Sequence, residues 1–334
     1  MRVVVLDDFH RTYHDSAGIA RLRQRADVTI YAEPAASRDE LVDRLAGVPI
    51  VIANRERTHF PADLFPRLPD LELICNTGGH LYHVDVPAAT AAGVALQLAY
   101  ATNPETTGRS TAELTLALMQ AVMRRIPQTD RALRAGEWRM PLGEVLYGKT
   151  LGIVGLGRVG RHVARLATAY GMRLLAWGPT LTPTRAAESG AEYRALDALL
   201  AEADVVSIHL ALSDQSRGLF DEARLRRMRP AAYLVNTARG AIVDEAALVR
   251  ALRERAIAGA ALDVFVQEPL PPDHPLLALE TVVLTPHLGW PADLTYREFA
   301  TDCADQIISY LDGDYARVLN PEALARRPRQ ARRD

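Results

Sequence analysis

The sequence predicts an α/β protein built from two doubly wound parallel sheets. The first stretch of the chain alternates short, continuous apolar runs with helical patterns, and a second series of the same kind opens at "LYGKTLGIVGLGRVG". The length, 334 residues, is long for one domain and comfortable for two. Continuous apolar strands separated by helices mean a sheet covered on both faces, which is the parallel arrangement.

In the first series the strands are "RVVVLDD", "VTIYAE" (Val28–Glu33), "PIVIAN" (Pro49–Asn54), "LELICNTGG" (Leu71–Gly79) and "GVALQLA" (Gly93–Ala99). Between them "SRDELVDRLAG" and "PADLFPRL" read as helices starting at Ser37 and Pro61. The segment "NPETTGRSTAELTLALMQAVMRRIPQTDRALRAGEW" repeats apolar residues at helical spacing from Ala112 to Met123, and reads as one long helix connecting the domains. The second series opens with a strand at Leu151–Val154 and continues through "RLLAWG", "DVVSIHL", "AYLVNTARG", "GAALDVF" and "VVLTPHLG". From Pro291 the chain is helical again, and the closing "RRPRQARRD" is basic and expected to fray.

Composition excludes several classes of function. Apolar residues make up 49% and charged residues 24%, with a net charge of −2. There is no global electrostatic case for nucleic acid or an anionic membrane. Lys149 is the only lysine, which argues against Schiff-base chemistry. Cys75 and Cys303 lie far apart and form neither a disulfide framework nor a zinc pattern, so reduced, buried thiols and no metal are expected. "MRVVVLDDF" reads as a strand rather than a signal peptide, and no apolar run approaches the ~20 residues of a membrane span. A cytoplasmic protein is the expectation.

The strongest motif is the turn at 155–160, with Leu156, Arg158 and Val159 set between Gly155, Gly157 and Gly160. It follows a strand and opens a helix, the context a dinucleotide-binding turn requires. Gly155 allows the tight turn, Gly157 lets the backbone approach a pyrophosphate, and Gly160 lets helix and strand pack closely. The helix N-terminus then offers free N–H groups to the phosphates. Further on, three strand ends carry Arg239, Glu268 and His287. In doubly wound folds ligands bind beyond the C-terminal ends of the strands, so all three are expected to reach one crevice. A guanidinium holds a carboxylate in a bidentate fork. A histidine exchanges a proton with a hydroxyl or carbonyl oxygen, and a carboxylate beside it orients the ring. With a nicotinamide nearby, the set describes hydride transfer coupled to proton transfer next to a carboxylate.

On "VGLGRVG", "DVVSIHLALSDQSRGLF", "MRPAAYLVNTARGAIVDEAALVRAL", "AGAALDVFVQEPLPPDHPL" and "VVLTPHLGW", the sequence resembles the D-isomer-specific 2-hydroxyacid dehydrogenase family. The resemblance implies a Rossmann cofactor domain, residues 101–290, inserted in a flavodoxin-like substrate domain formed by 1–100 and 291–334. It implies NAD or NADP as cofactor and a small 2-keto or 2-hydroxy acid as substrate. It gives Arg239 the substrate carboxylate, Glu268 the role of histidine partner and His287 that of acid/base. It places Asp263 near the nicotinamide carboxamide. Thr237 and Ala238 line the nicotinamide, Gly289 is a further cofactor-binding residue, and the segment from His209 and Leu210 to Leu212 lines the adenosine side. It also implies a homodimer, with the helix around Ala112–Met123 as hinge and dimer surface. No regulatory domain is expected after "RVLNP".

The chain departs from the pattern in one place. The strand after the glycine turn often ends in an aspartate, but here "AWGPTLTPTR" puts Gly178 there, and no acid occurs from Arg161 to Ala187. Removing that charge removes the repulsion against a 2′-phosphate, with Thr180, Thr182, Thr184 and Arg185 as available donors. Either NADP is used alongside NAD, or NAD is still preferred with its ribose held by backbone and threonines. Substrate choice should lie in "ANRERT" and "NTGGHLYHVD". Gly78 and Gly79 suit a carboxylate held by bare backbone N–H groups. Arg55 is a candidate for a second anion; with His80, Tyr82 and His83 it otherwise packs or faces solvent. Trp290 either walls the pocket or packs in the core. The leading expectation is an oxidoreductase. A cofactor-sensing, corepressor-like binding protein on the same scaffold is the alternative, and another doubly wound dehydrogenase is a third.

Overall fold

A computed structural model describes residues 1–100, 106 and 108–326. The basic tail beyond Arg326 lies outside the described residues. The chain divides into two units, Met1–Thr106 with Asp293–Asp334, and Thr107–Ala292.

In the first unit the strands are β1 (Arg2–Val5), β2 (Asp27–Ile30), β3 (Ile50–Ala53), β4 (Leu73–Thr77) and β5 (Ala95–Ala99). They form one parallel sheet in the order β2-β1-β3-β4-β5. Every residue of β3 and β4 is buried, as the unbroken apolar runs require. The helices are α1 (Ala17–Leu22), α2 (Arg38–Leu45) and α3 (Val86–Ala91). Ser37 caps α2 as expected, its hydroxyl accepting from Glu40 N–H at 3.1 Å. The helix expected from Pro61 is not formed. That segment is a turn followed by a single 3₁₀ turn, Phe65–Arg67. Pro66 has no N–H to give the carbonyl four residues back.

The second unit opens with α4 (Arg109–Met123) and α5 (Ile126–Arg134). The single long helix read from the sequence is broken here. Arg125 is left-handed at φ 54°, and Pro127 follows in the first turn of α5. In a continuous helix the ring of Pro127 would press on the carbonyl of Met123. Instead that carbonyl accepts Glu144 N–H at 3.1 Å. Nor is α4 a free connector. Ala112, Leu116, Leu118, Met119, Val122 and Met123 are buried in the core of this unit, against Leu151, Ile153 and Val163.

The remaining elements are β6 (Thr150–Val154), α6 (Arg158–Ala169), β7 (Arg173–Trp177), α7 (Pro183–Ala187), β8 (Glu192–Tyr193), α8 (Leu196–Glu202), β9 (Val205–Ile208), α9 (Glu222–Arg227), β10 (Tyr233–Asn236), α10 (Glu245–Arg253), β11 (Gly259–Leu262) and β12 (Val282–Leu284). All seven strands are parallel, in the order β12-β11-β10-β9-β6-β7-β8. The sheet grows outward in both directions from the β6–β9 pair, so its topological switch point lies beside the end of β6, where the glycine turn begins. The chain then returns to the first unit through α11 (Asp293–Leu311) and α12 (Glu322–Arg326). Cys75 and Cys303 are free and buried. Among the described residues no helix is long and apolar enough to cross a membrane, and no cluster of side chains fits a metal ion.

Candidate active site

The three glycines of the 155–160 turn are needed for three different reasons. Gly155 has φ +105°, and a β-carbon there would stand 2.8 Å from the backbone carbon and oxygen of His209. A β-carbon on Gly160 would stand 2.2 Å from the Gly155 carbonyl oxygen. Both positions are closed by the protein's own backbone. A β-carbon on Gly157 would meet none of the described residues within 4 Å. It is the N-cap of α6, and no side chain fills the cap. The turn therefore leaves open space in front of unsatisfied helix N–H groups, which is the form of a pyrophosphate cradle. Arg158 stands exposed at the first helical position.

His209 supports this turn from β9. Its N–H donates to Val154 O at 2.8 Å, and its ring Nε2 lies 2.8 Å from Ser207 Oγ. Burial pushes its pKa down to about 3, so the ring is neutral. Leu210 packs against the core beside it. At the end of β7, Gly178 is followed by exposed Pro179 and Thr180. Two of the side chains expected here as donors make hydrogen bonds within the loop, Thr182 as an acceptor and Arg185 as a donor. Thr182 caps α7 by accepting Arg185 N–H at 3.3 Å, and Arg185 Nη1 donates to Thr180 O at 3.0 Å.

The strand ends of β10, β11 and β12 carry the proposed chemistry. Asn236, 1% exposed, accepts Ala238 N–H at 3.0 Å and donates to Arg239 O at 2.9 Å. It folds the turn that turns Arg239 outward, and sequence reading missed it. Thr237 is buried, its hydroxyl 2.9 Å from that of Thr115 on α4. Arg239 is exposed, with Nη1 donating to Ala238 O at 2.6 Å.

His287 Nδ1 lies 2.7 Å from Glu268 Oε2, while Glu268 Oε1 accepts Phe265 N–H at 2.9 Å. An ionised carboxylate only accepts, so Nδ1 carries the proton and Nε2 is the ring atom left for a substrate oxygen. The side chains of His287 and Glu268 are 34% and 36% exposed, which leaves the pair open to a ligand. His287 is itself left-handed, at φ 56°. That backbone is held by Asp263, which is fully buried. Its Oδ1 accepts Thr285 Oγ1–H at 2.6 Å and Leu288 N–H at 2.7 Å, and its Oδ2 accepts Gly289 N–H at 2.8 Å. Its carbonyl accepts His287 N–H at 2.9 Å. The carboxylate that the resemblance places near the carboxamide has both oxygens taken by the loop carrying His287.

In the first unit, Arg55 is left-handed at φ 58° and its Nε lies 3.3 Å from Glu56 Oε2. The guanidinium crosses Gly78, where a β-carbon would stand 2.6 Å from Nη1. Gly78 has φ +95°, a conformation that disfavours a side chain, and one there would also have to move the Arg55 guanidinium. Gly79 is exposed, and among the described residues Tyr100 Cε1 stands 3.6 Å from its β position. His83 is buried, with Nε2 3.1 Å from Asn76 Oδ1. Burial, aided by the neighbouring His80, pushes its pKa down to about 4. His80 stacks on Tyr82 at 4.1 Å. Trp290 is half-buried.

A doubly wound sheet with this turn at its switch point has the form of a dinucleotide-binding domain. Residues 116–289 match the model of the D-isomer specific 2-hydroxyacid dehydrogenase, NAD binding domain. The chain is 36% identical to a glyoxylate reductase of Korarchaeum cryptofilum over 320 residues, 93% of this chain and 95% of the relative. It is 40% identical to a D-3-phosphoglycerate dehydrogenase of Mycobacterium bovis over 282 residues, 83% of this chain and 52% of the relative. Among solved structures, a phosphoglycerate oxidoreductase from Vibrio cholerae matches with a TM-score of 0.74 and 31% identity, over 94% of this chain and all of that one (100%). The chain belongs to the D-isomer specific 2-hydroxyacid dehydrogenase family. It is an NAD(P)-dependent dehydrogenase of the kind that acts on the CH–OH group of a 2-hydroxy acid.

Proposed function

We propose that the protein reduces a small 2-keto acid to the D-2-hydroxy acid, or runs the reverse reaction, with His287 as the acid/base. The observation that carries this reading is the 2.7 Å pair of His287 Nδ1 and Glu268 Oε2, with the exposed Arg239 following β10, the strand that pairs with β11. Arg239 takes the substrate carboxylate in a bidentate fork. His287 Nε2 faces the keto oxygen and gives it a proton as the bond to carbon is reduced. Glu268 fixes the ring through Nδ1. Bound NAD(P)H supplies the hydride. Gly155–Gly160 hold its pyrophosphate, and Gly178 and Thr180 meet its adenosine ribose. Gly78 and Gly79 offer backbone N–H groups to the substrate, and Arg55 offers a cation to a second anionic group on it.

The same reading makes the protein a cytoplasmic homodimer. Two reduced thiols, Cys75 and Cys303, suit that compartment. The segment after α5 exposes Trp138 (79%), Met140 (83%) and Leu142 (95%) together, an apolar surface of the kind that subunits bury. Light scattering at micromolar concentration tests the dimer, and a monomer overturns it. The function is tested with a panel of glyoxylate, hydroxypyruvate, pyruvate, 2-ketoglutarate and bulkier keto acids, using NADH and NADPH. Turnover of at least one is expected, with kcat for His287→Ala lower by about 10²–10⁴. Tight cofactor binding with no turnover of any acid overturns the reading.

A further inference from the structure

Glu268 sits on a long loop between β11 and the 3₁₀ turn Pro275–Ala278, and a side chain from a different element closes that loop. Glu245, the first residue of α10, accepts Val266 N–H on Oε2 at 3.3 Å. Its other oxygen, Oε1, lies 3.0 Å from His274 Nε2. His274 Nδ1 in turn accepts Leu276 N–H at 3.3 Å. That acceptor role leaves Nδ1 bare and puts the proton on Nε2, so the ring donates to Glu245. Both partners are well shielded, with His274 17% and Glu245 20% exposed. The two ends of the loop, Val266 and His274, are thus drawn to one carboxylate.

We propose that Glu245 and His274 form a clasp that positions Glu268 against His287. Phe265 and Val266 form the plate on which this depends. Phe265 N–H donates to Glu268 Oε1, and Val266 N–H donates to Glu245 Oε2. The turn after Arg239 rests on the same backbone: a β-carbon on Gly240 would stand 2.0 Å from Phe265 C and 2.5 Å from Val266 N. Whatever fixes Phe265–Val266 therefore fixes the carboxylate that orients His287. A carboxylate is required at 245. Two donors converge on it, one per oxygen, and an amide meets only one of them. Turning the imidazole tautomer does not rescue the amide, because a proton on Nδ1 would then oppose the Leu276 N–H. Glu245 is a positioning residue in this account; it touches neither substrate nor cofactor.

Glu245→Gln tests the clasp, read in two ways. The first is the hydrogen-bonded Nδ1–H of His287, observed as a downfield proton in the NMR spectrum of the free protein and assigned by its loss in Glu268→Gln. The second is kcat, which rests on the function proposed above. In Glu245→Gln the downfield proton is expected to broaden or vanish, and kcat to fall about tenfold or more with KM little changed. The control is Asp244→Ala on the same helix. Asp244 caps α10 by accepting Ala247 N–H at 2.9 Å and makes no bond to the loop. It should lower stability and leave the proton and kcat as in the wild type. If Glu245→Gln does not accumulate as folded protein, His274→Phe removes the other half of the clasp and is expected to act in the same direction. An unchanged proton in the folded variant overturns the proposal, as does an equal response in Asp244→Ala. A wild type that shows the proton but reduces no keto acid leaves the clasp standing and overturns the function.

Discussion

Replacing Gly157 and Gly160 separately by alanine should pull cofactor binding and folding apart. The magnitudes follow from what each new methyl meets. At Gly160 it would stand 2.2 Å from the Gly155 carbonyl oxygen, which is backbone and has nowhere to go. Overpacking of this sort costs about 1–3 kcal/mol. In a unit the size of the second one, each kcal/mol moves Tm by about 2–4 °C, so Gly160→Ala should melt about 2–12 °C lower. At Gly157 the methyl meets none of the described residues within 4 Å, and φ is −82°, outside the left-handed region that disfavours a side chain. Losing glycine's freedom in the unfolded chain stabilises by about 0.4–1 kcal/mol. Alanine is a poorer N-cap than glycine, which offsets that gain. Gly157→Ala should therefore melt within a degree or two of the wild type (roughly 0.5 kcal/mol at the same slope). Its methyl projects into the space the pyrophosphate needs, so its Kd for NADH should rise at least about tenfold, or 1.4 kcal/mol. Thermal melts of the free proteins and calorimetric titration with NADH make the comparison. A Gly157→Ala protein that binds NADH as the wild type does would refute the assignment of this turn as the cradle.

Three further outcomes follow from the same geometry. Asp263→Asn exchanges one accepting oxygen for a donor that must oppose either Gly289 N–H or the pair on Oδ1. Losing a charged hydrogen bond costs about 1.5–3 kcal/mol, and Tm and kcat should both fall; a variant unchanged in both would mean the loop holds itself. His83 is kept neutral in the fold, its pKa about 4 against 6.5. The unfolded chain takes up that proton at higher pH, so the stability is intact above pH 6.5 and is lost as pH falls toward 4. Unfolding free energies from urea melts should decline over this window by up to about 1.4 kcal/mol per pH unit more in the wild type than in His83→Gln, and parallel declines would exclude the effect. At the end of β7, with no acid to repel a 2′-phosphate, Kd for NADPH should lie within about tenfold of that for NADH. Gly178→Asp should weaken NADPH alone; a wild type that already rejects NADPH by several hundredfold would show that the loop discriminates by other means.

What the sequence made legible was local. The runs that became β3, β4 and β6 are continuous, apolar and short, and nothing but a covered parallel strand buries them all. The glycine turn is legible because its spacing sits between such a strand and an amphipathic helix. The misread helices share one feature: the segments read as helices run across Pro66 and Pro127, each of which lacks the N–H a continuous helix needs. Polar residues of the site are a different matter. Arg239, Glu268 and His287 stand out as unusual at strand ends. Asn236, Asp263 and Glu245 do not, because their task is set by which loops the fold brings to them.

That difference orders the site. His287 sits in a left-handed backbone that a non-glycine residue adopts only when its surroundings impose it. Asp263 imposes it by taking three donors from the loop at once, and a buried carboxylate so satisfied is costly to disturb. The ring is then aimed by Glu268, whose own loop is too long to hold itself and is closed by Glu245. Three carboxylates on separate segments thus fix one imidazole, one through its backbone, one through its Nδ1 and one through the loop of its partner. Only Glu268 touches the ring, so its removal changes proton transfer directly. Loss of either of the others is felt first as a loss of position, in kcat before KM.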